Sequence, residues 1–239
     1  MRRAVLAVAL VAAAVAAPAL AGRAEAALDG PRIPQAVAET TYLVARANKD
    51  GAWLALRARP GGPVLAKVRS QTQFGGRPAL AVVREEGGWL GVAAPELPNG
   101  RLGWVRRETV RISLTRVSLV ADLSERTLTL QVGGRAVRTI RVAIGAGNTS
   151  TPTGRFAVTD KFPGSIYGSY LGCCVLALSG HQPNLPPGWD GGDLLGIHGT
   201  YADWTIGLPI SAGCLRASDD DMRVLMRRVP IGAPVFIRA

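Results

Sequence analysis

Between residues 117 and 144 apolar and polar positions alternate. Ser118-Leu119-Val120-Ala121-Asp122, Thr127-Leu128-Thr129-Leu130-Gln131-Val132 and the run from Ala136 to Ile144 keep a period of two, broken by Gly133-Gly134. Successive side chains of a strand point to opposite faces, so this pattern predicts half-buried antiparallel strands. Gly154-Arg155-Phe156-Ala157-Val158 opens another strand after Thr151-Pro152-Thr153, and Pro234-Val235-Phe236-Ile237 makes the last one. The helical pattern runs from about Ser218 to Arg228. Ser218 suits the N-cap, Asp219 to Asp221 the positive first turn, and Arg227-Arg228 the negative end, with Pro230 as the stop. Residues 116–239 therefore read as a mainly β domain with one notable helix.

Residues 40–113 have a different rhythm of short apolar runs and turns. Trp53-Leu54-Ala55-Leu56, Ala79-Leu80-Ala81-Val82-Val83 and Gly88-Trp89-Leu90-Gly91-Val92 are separated by segments such as Pro60-Gly61-Gly62-Pro63. Asn99-Gly100 is a hairpin cue ahead of Gly103-Trp104-Val105. Five short strands in so short a tract predict a small barrel. With Trp89 and Gly103-Trp104-Val105 the tract resembles a bacterial SH3-like domain, which implies either wall binding or a spacer. Trp53, Trp89 and Trp104 are expected in the barrel core rather than as sugar platforms.

Composition narrows the class. With 48% apolar and 19% charged residues a core can form, and 29 Gly with 16 Pro argue against a helical bundle. The formal charge of +11 comes almost wholly from arginine, since Lys49, Lys67 and Lys161 are the only lysines. The arginines are scattered along strand-like segments and not interleaved with aromatics, so no nucleic acid partner is expected and a solvated basic surface is the default reading. At the N-terminus Met1-Arg2-Arg3 precedes the apolar run Ala4 to Ala17, then Pro18 and the small-residue sites Ala19-Leu20-Ala21 and Ala24-Glu25-Ala26. That layout predicts a secretory signal peptide over 1–26, followed by a linker over 27–39. The expected location is outside the cytoplasm, in the cell wall or periplasm. A membrane partner is expected only if the segment stays uncleaved.

Three cysteines, Cys173, Cys174 and Cys214, are too few for a disulfide framework. Adjacent cysteines rarely bond to each other because the ring they close is strained; Cys173 and Cys174 read as part of a buried strand, at least one of them as a small core residue. Cys214 has other surroundings. It lies in Ser211-Ala212-Gly213-Cys214-Leu215-Arg216, downstream of Gly196-Ile197-His198-Gly199-Thr200, with fifteen residues between His198 and Cys214. A thiol attacks carbonyls as its thiolate, and a neighbouring imidazole can take the proton. Asp203 or the Gly199 carbonyl is a candidate to orient that ring. Gly213 permits close approach and unusual dihedrals, the amides of Gly213 and Cys214 can face a developing oxyanion, and Arg216 can pair with a substrate carboxylate. No C-x-x-C or histidine pair at ligand spacing supports a zinc site, and no metal or cofactor is expected.

These blocks resemble the signature of the L,D-transpeptidase (YkuD-like) catalytic domain. Thr151-Pro152-Thr153-Gly154-Arg155-Phe156 is similar to the family's Pro-x-Gly-x-Phe strand and Gly232-Ala233-Pro234-Val235 to its closing strand. The resemblance covers about residues 116–239 and implies a β-sandwich with one helix. It further implies that Cys214 is the acylated nucleophile, His198 its base and the Gly199 carbonyl the group that orients the base. Ser211, Gly213 and Arg216 are expected to support substrate. Ala212 stands where many members carry a second histidine, which leaves the base assignment to His198. The implied partners are peptidoglycan stem peptides, with carbapenem-type β-lactams as inhibitors. The implied activity is a transpeptidase joining stems through an acyl-enzyme, or an L,D-carboxypeptidase if water resolves it. A non-catalytic wall-binding protein and a general cysteine peptidase are the competing readings. His181 is expected as a surface loop residue, and the loop from His181 to Asp193 as a lid or a long connection.

Overall fold

The structure, a computed structural model, describes residues 40–49 and 52–239; the expected signal peptide and linker lie outside the described residues. The first sheet holds β1 (Tyr42–Ala47), β2 (Leu54–Arg57), β3 (Val64–Val68), β4 (Leu80–Glu86), β5 (Trp89–Ala93), β6 (Gly103–Arg106) and β7 (Val110–Thr115). They pair antiparallel in the order β3-β2-β6-β5-β4-β1-β7. Glu86 pairs with Trp89, so Gly87-Gly88 forms a two-residue turn with both φ angles positive. Glycine suits that turn because it has no Cβ to clash there. Asn99-Gly100, by contrast, sits in a longer connection between β5 and β6, where Arg101 N–H donates to the Pro98 carbonyl. Leu56, Leu90, Val92 and Val105 fill the core of this sheet.

Trp89 and Trp104 are buried as expected, but Trp53 is 58% exposed. It precedes β2 and is not a member of the apolar cluster beneath the sheet.

The second part is a curled, mixed half-barrel with one α-helix. Its strands are β8 (Val117–Asp122), β9 (Thr127–Val132), β10 (Arg135–Arg141), β11 (Ile144–Gly145), β12 (Gly154–Pro163), β13 (Cys174–His181), β14 (Leu194–His198), β15 (Pro209–Ser211), β16 (Leu215–Arg216) and β17 (Pro234–Arg238). Eight of them follow the order β10-β9-β8-β17-β12-β13-β14-β16, while β11 and β15 pair separately. Most pairs are antiparallel; β17 runs parallel to β8, and β16 runs parallel to β14. The alternation read from the chain has the expected result: Leu119, Ala121, Leu128 and Leu130 point into one core. Helix α1 (Asp219–Arg228) sends Met222 and Leu225 into the same core and packs against β13. Ser218 caps it by accepting from the Asp221 N–H, and Lys161 Nζ donates to the Met226 and Val229 carbonyls at the other end.

Several polar contacts join the two sheets. Arg46 donates to the Ile231 carbonyl and Arg155 to the Val82 carbonyl. His181 is part of this junction, which corrects its reading as a plain surface residue. Its Nδ1 meets Asp193 Oδ2 at 3.0 Å and its Nε2 meets the Pro95 carbonyl at 2.8 Å. Asn99 holds the same residue's backbone from both sides.

Candidate active site

Strand register assembles the site. Parallel β14 and β16 place Ile197 opposite Leu215 and His198 opposite Arg216. With a period of two, Gly196 and His198 share one face of β14 with Cys214 and Arg216 of the neighbouring segment. Antiparallel β13 adds Val175, opposite His198, and Ala177, opposite Gly196. This face floors a cleft of about 620 Å³ that His198, Cys214 and Arg216 all line.

His198 is 3% exposed. Its Nδ1 lies 2.6 Å from the Gly199 carbonyl oxygen. A carbonyl only accepts, so Nδ1 carries the proton and Nε2 holds the basic lone pair. Burial, reinforced by the Arg216 charge and opposed by the Gly199 bond, pushes this imidazole down to about 4. Gly199 is held in turn by its N–H, which donates to the Cys174 carbonyl. A side chain at 199 would run into Asp219, whose Oδ1 accepts from the Cys173 amide at 2.8 Å.

Cys214 is a free, partly covered thiol. Burial pushes it up from its ordinary value, while a bond to the Gly196 backbone and the Arg216 charge act against that rise. The resting pair is therefore a neutral thiol and a neutral imidazole on one strand face.

The turn carrying Cys214 is braced from behind. Ser211 Oγ donates to the Cys214 carbonyl at 2.6 Å and accepts from the Gly213 N–H at 3.1 Å. Thr151 Oγ1 donates to the Gly213 carbonyl at 2.9 Å. Ser211 and Gly213 were expected to face substrate, yet neither lines the cleft. Their polar groups are spent on the turn itself, and the Gly213 amide is not open to an oxyanion. Gly213 has φ +118°, and a Cβ there would collide with the Gln182 side chain. Arg216 does face the cleft, and its Nε is buried without a hydrogen-bond partner. Asp203 lies in a short 3₁₀ turn and is not among the cleft residues.

Cys173 and Cys174 are disulfide-linked to each other, a pairing that adjacent cysteines rarely make. β13 begins at Cys174, so Cys173 precedes the strand and the alternation that would send the two side chains apart does not govern it.

Other parts of the site left little trace in the pattern of the chain. Gln182 is buried, and its Nε2 donates to the carbonyls of Thr149, Ser150 and Ala212, tying the turn to the long loop. That loop, with Leu185 and Trp189, walls one side of the cleft. Tyr167, Tyr170 and Phe162 also line it, and Phe74 arrives from the N-terminal sheet, its ring 4.6 Å from that of Phe162. Aromatic residues in loops have no periodicity to betray them; the cue available was only their density around Tyr167 and Tyr170.

Residues 116–237 match the L,D-transpeptidase catalytic domain of the YkuD type, and the chain belongs to that family. Among its relatives is the Bacillus subtilis (strain 168) protein YkuD, named for that activity, which is 32% identical over 121 residues. The match spans 50% of this chain and 64% of YkuD. Escherichia coli (strain K12) ErfK/SrfK, also named as an L,D-transpeptidase, is 48% identical over 46 residues, which cover 19% of this chain and 15% of that protein. Among solved structures, L,D-transpeptidase 3 of Mycobacterium tuberculosis with a faropenem-derived adduct is 20% identical, covering 58% of this chain and 73% of that one, with a TM-score of 0.42.

Proposed function

We propose that this protein is an exported peptidoglycan L,D-transpeptidase in which Cys214 is the acylated nucleophile. The observation that carries the reading is the adjacency on one strand face of a free thiol and a histidine whose Nδ1 is fixed by Gly199, leaving Nε2 as base. Sγ gives its proton to His198 Nε2 and attacks the stem-peptide carbonyl that precedes a terminal D-alanine. The resulting imidazolium returns the proton to the D-alanine nitrogen as the C–N bond breaks, and a thioester remains. The amine of a second stem then attacks the thioester carbonyl, passes a proton to His198 and expels the Cys214 thiolate, which recovers that proton. Water in place of the amine yields L,D-carboxypeptidase activity. The Cys214 amide is the oxyanion donor, because Ser211 occupies that of Gly213. The unpartnered Arg216 Nε takes a substrate carboxylate. Carbapenem-type β-lactams acylate the same sulfur, and the N-terminal extension directs export.

Mass spectrometry after mixing with a carbapenem or with tetrapeptide stems tests the reading. The expected result is a covalent adduct on Cys214 that is lost in Cys214→Ala. A folded parent without any adduct would overturn it.

A further inference from the structure

A second cavity of about 580 Å³ adjoins the cleft and is built by both halves of the protein. Gln73, Phe74, Asp193 and Leu194 line both spaces, so the two share a wall at this loop tip. The tip is fixed, since Thr72 Oγ1 and Asp160 Oδ1 of β12 are 2.5 Å apart and Phe74 packs between Phe162 and Tyr167.

The far wall of this second cavity comes from the β2–β3 hairpin. Leu54 pairs with Val68 and Ala55 with Lys67. Extending that register by one residue sets Trp53 across from Arg69, so Trp53, Lys67 and Arg69 share a face. All three line the cavity, and all three are exposed. Neither cation has an ion-pair partner among the described residues. The acidic lining groups are otherwise engaged: Asp160 meets Thr72, Asp193 meets His181, and burial raises Glu96 toward its neutral form. An open aromatic face beside two unpaired cations suits a pyranose ring that carries carboxylates nearby.

We infer that this cavity is a remote substrate subsite, which takes the sugar and free carboxylates of a glycan-linked stem peptide through Trp53, Lys67 and Arg69 while the peptide end reaches Cys214 past Phe74. The inference rests on the proposed transpeptidase reading, and it makes the N-terminal sheet part of the substrate site rather than a spacer.

Titration calorimetry on the full chain in a Cys214→Ala background tests it, with a disaccharide-linked tetrapeptide and the free tetrapeptide as ligands. The parent is expected to favour the disaccharide-linked form by about tenfold. Trp53→Ala and the double variant Lys67→Glu/Arg69→Glu are each expected to bring that ratio close to one, and Trp53→Phe to keep most of it. Each variant is checked for folding by circular dichroism. A parent without preference overturns the subsite, as does a preference that survives both changes. Adduct formation on Cys214 is read separately in the wild-type chain. An adduct without glycan preference removes the subsite alone, whereas glycan preference without an adduct removes the catalytic reading alone.

Discussion

At the scale of single residues, the site is tuned to stay uncharged until substrate enters. His198 is held neutral by burial down to about 4, and burial also keeps the Cys214 proton in place above the ordinary thiol value. If acylation needs His198 unprotonated, its acid limb lies near pH 4, well below the ordinary imidazole range. The rate should then stay level through neutral pH, because the neutral thiol and neutral imidazole remain the reacting form until the thiol itself titrates above its ordinary value. A pH profile of carbapenem acylation under single-turnover conditions checks both limbs; an acid limb at the usual imidazole position would contradict this account. Gly213 yields a second expectation. At φ +118° an alanine is strained and its Cβ meets Gln182, so Gly213→Ala should cost at least about 1 kcal/mol of stability. It should also slow acylation, and thermal unfolding followed beside adduct formation measures the two effects.

Elements explain why these residues meet. The helix was readable because its cap, its acidic first turn and its basic end are local signals, and the structure places α1 where they point. Ser218→Ala removes an N-cap bond and should lower stability by about 1 kcal/mol, read from the denaturant midpoint. The glycine pairs at 87–88 and 133–134 also mark two-residue turns, as both have positive φ throughout. The long connections carry no such signals. Phe74 reaches the cleft through a loop pinned by Thr72, and Thr72→Val should free it by removing the bond to Asp160. Lower affinity for tetrapeptide stems with intact carbapenem acylation is the expected outcome, measured by competition. Equal loss of both would point to a wider collapse of the site.

Over the whole molecule, buried titratable groups couple folding to pH. His198 takes up a proton near 6.5 when unfolded and near 4 when folded, so the unfolded chain binds more protons between those values. Stability from this group is therefore full above pH 6.5 and declines as pH falls toward 4, by roughly 3 kcal/mol. Burial raises the Asp160 and Glu96 carboxyls, which act in the opposite direction. The difference between the parent and His198→Gln isolates the histidine. Unfolding free energies from urea titrations should converge as pH drops from 6.5 to 4, and parallel curves would refute the assignment.

The order of residues determined the mainly β class, the capped helix and the two blocks that carry His198 and Cys214. Each of these is encoded by periodicity, caps or short spacing, which act over a few neighbours along the chain. Packing decided the rest: that Ser211 and Gly213 brace the turn instead of facing the cleft, that Trp53 stands open, that His181 ties two sheets together, and that Cys173 closes on Cys174. For the contacts between the two sheets the reason is distance along the chain. Thr72 and Asp160, or Phe74 and Phe162, are separated by 88 residues, and only a folded backbone brings such groups within reach of one another.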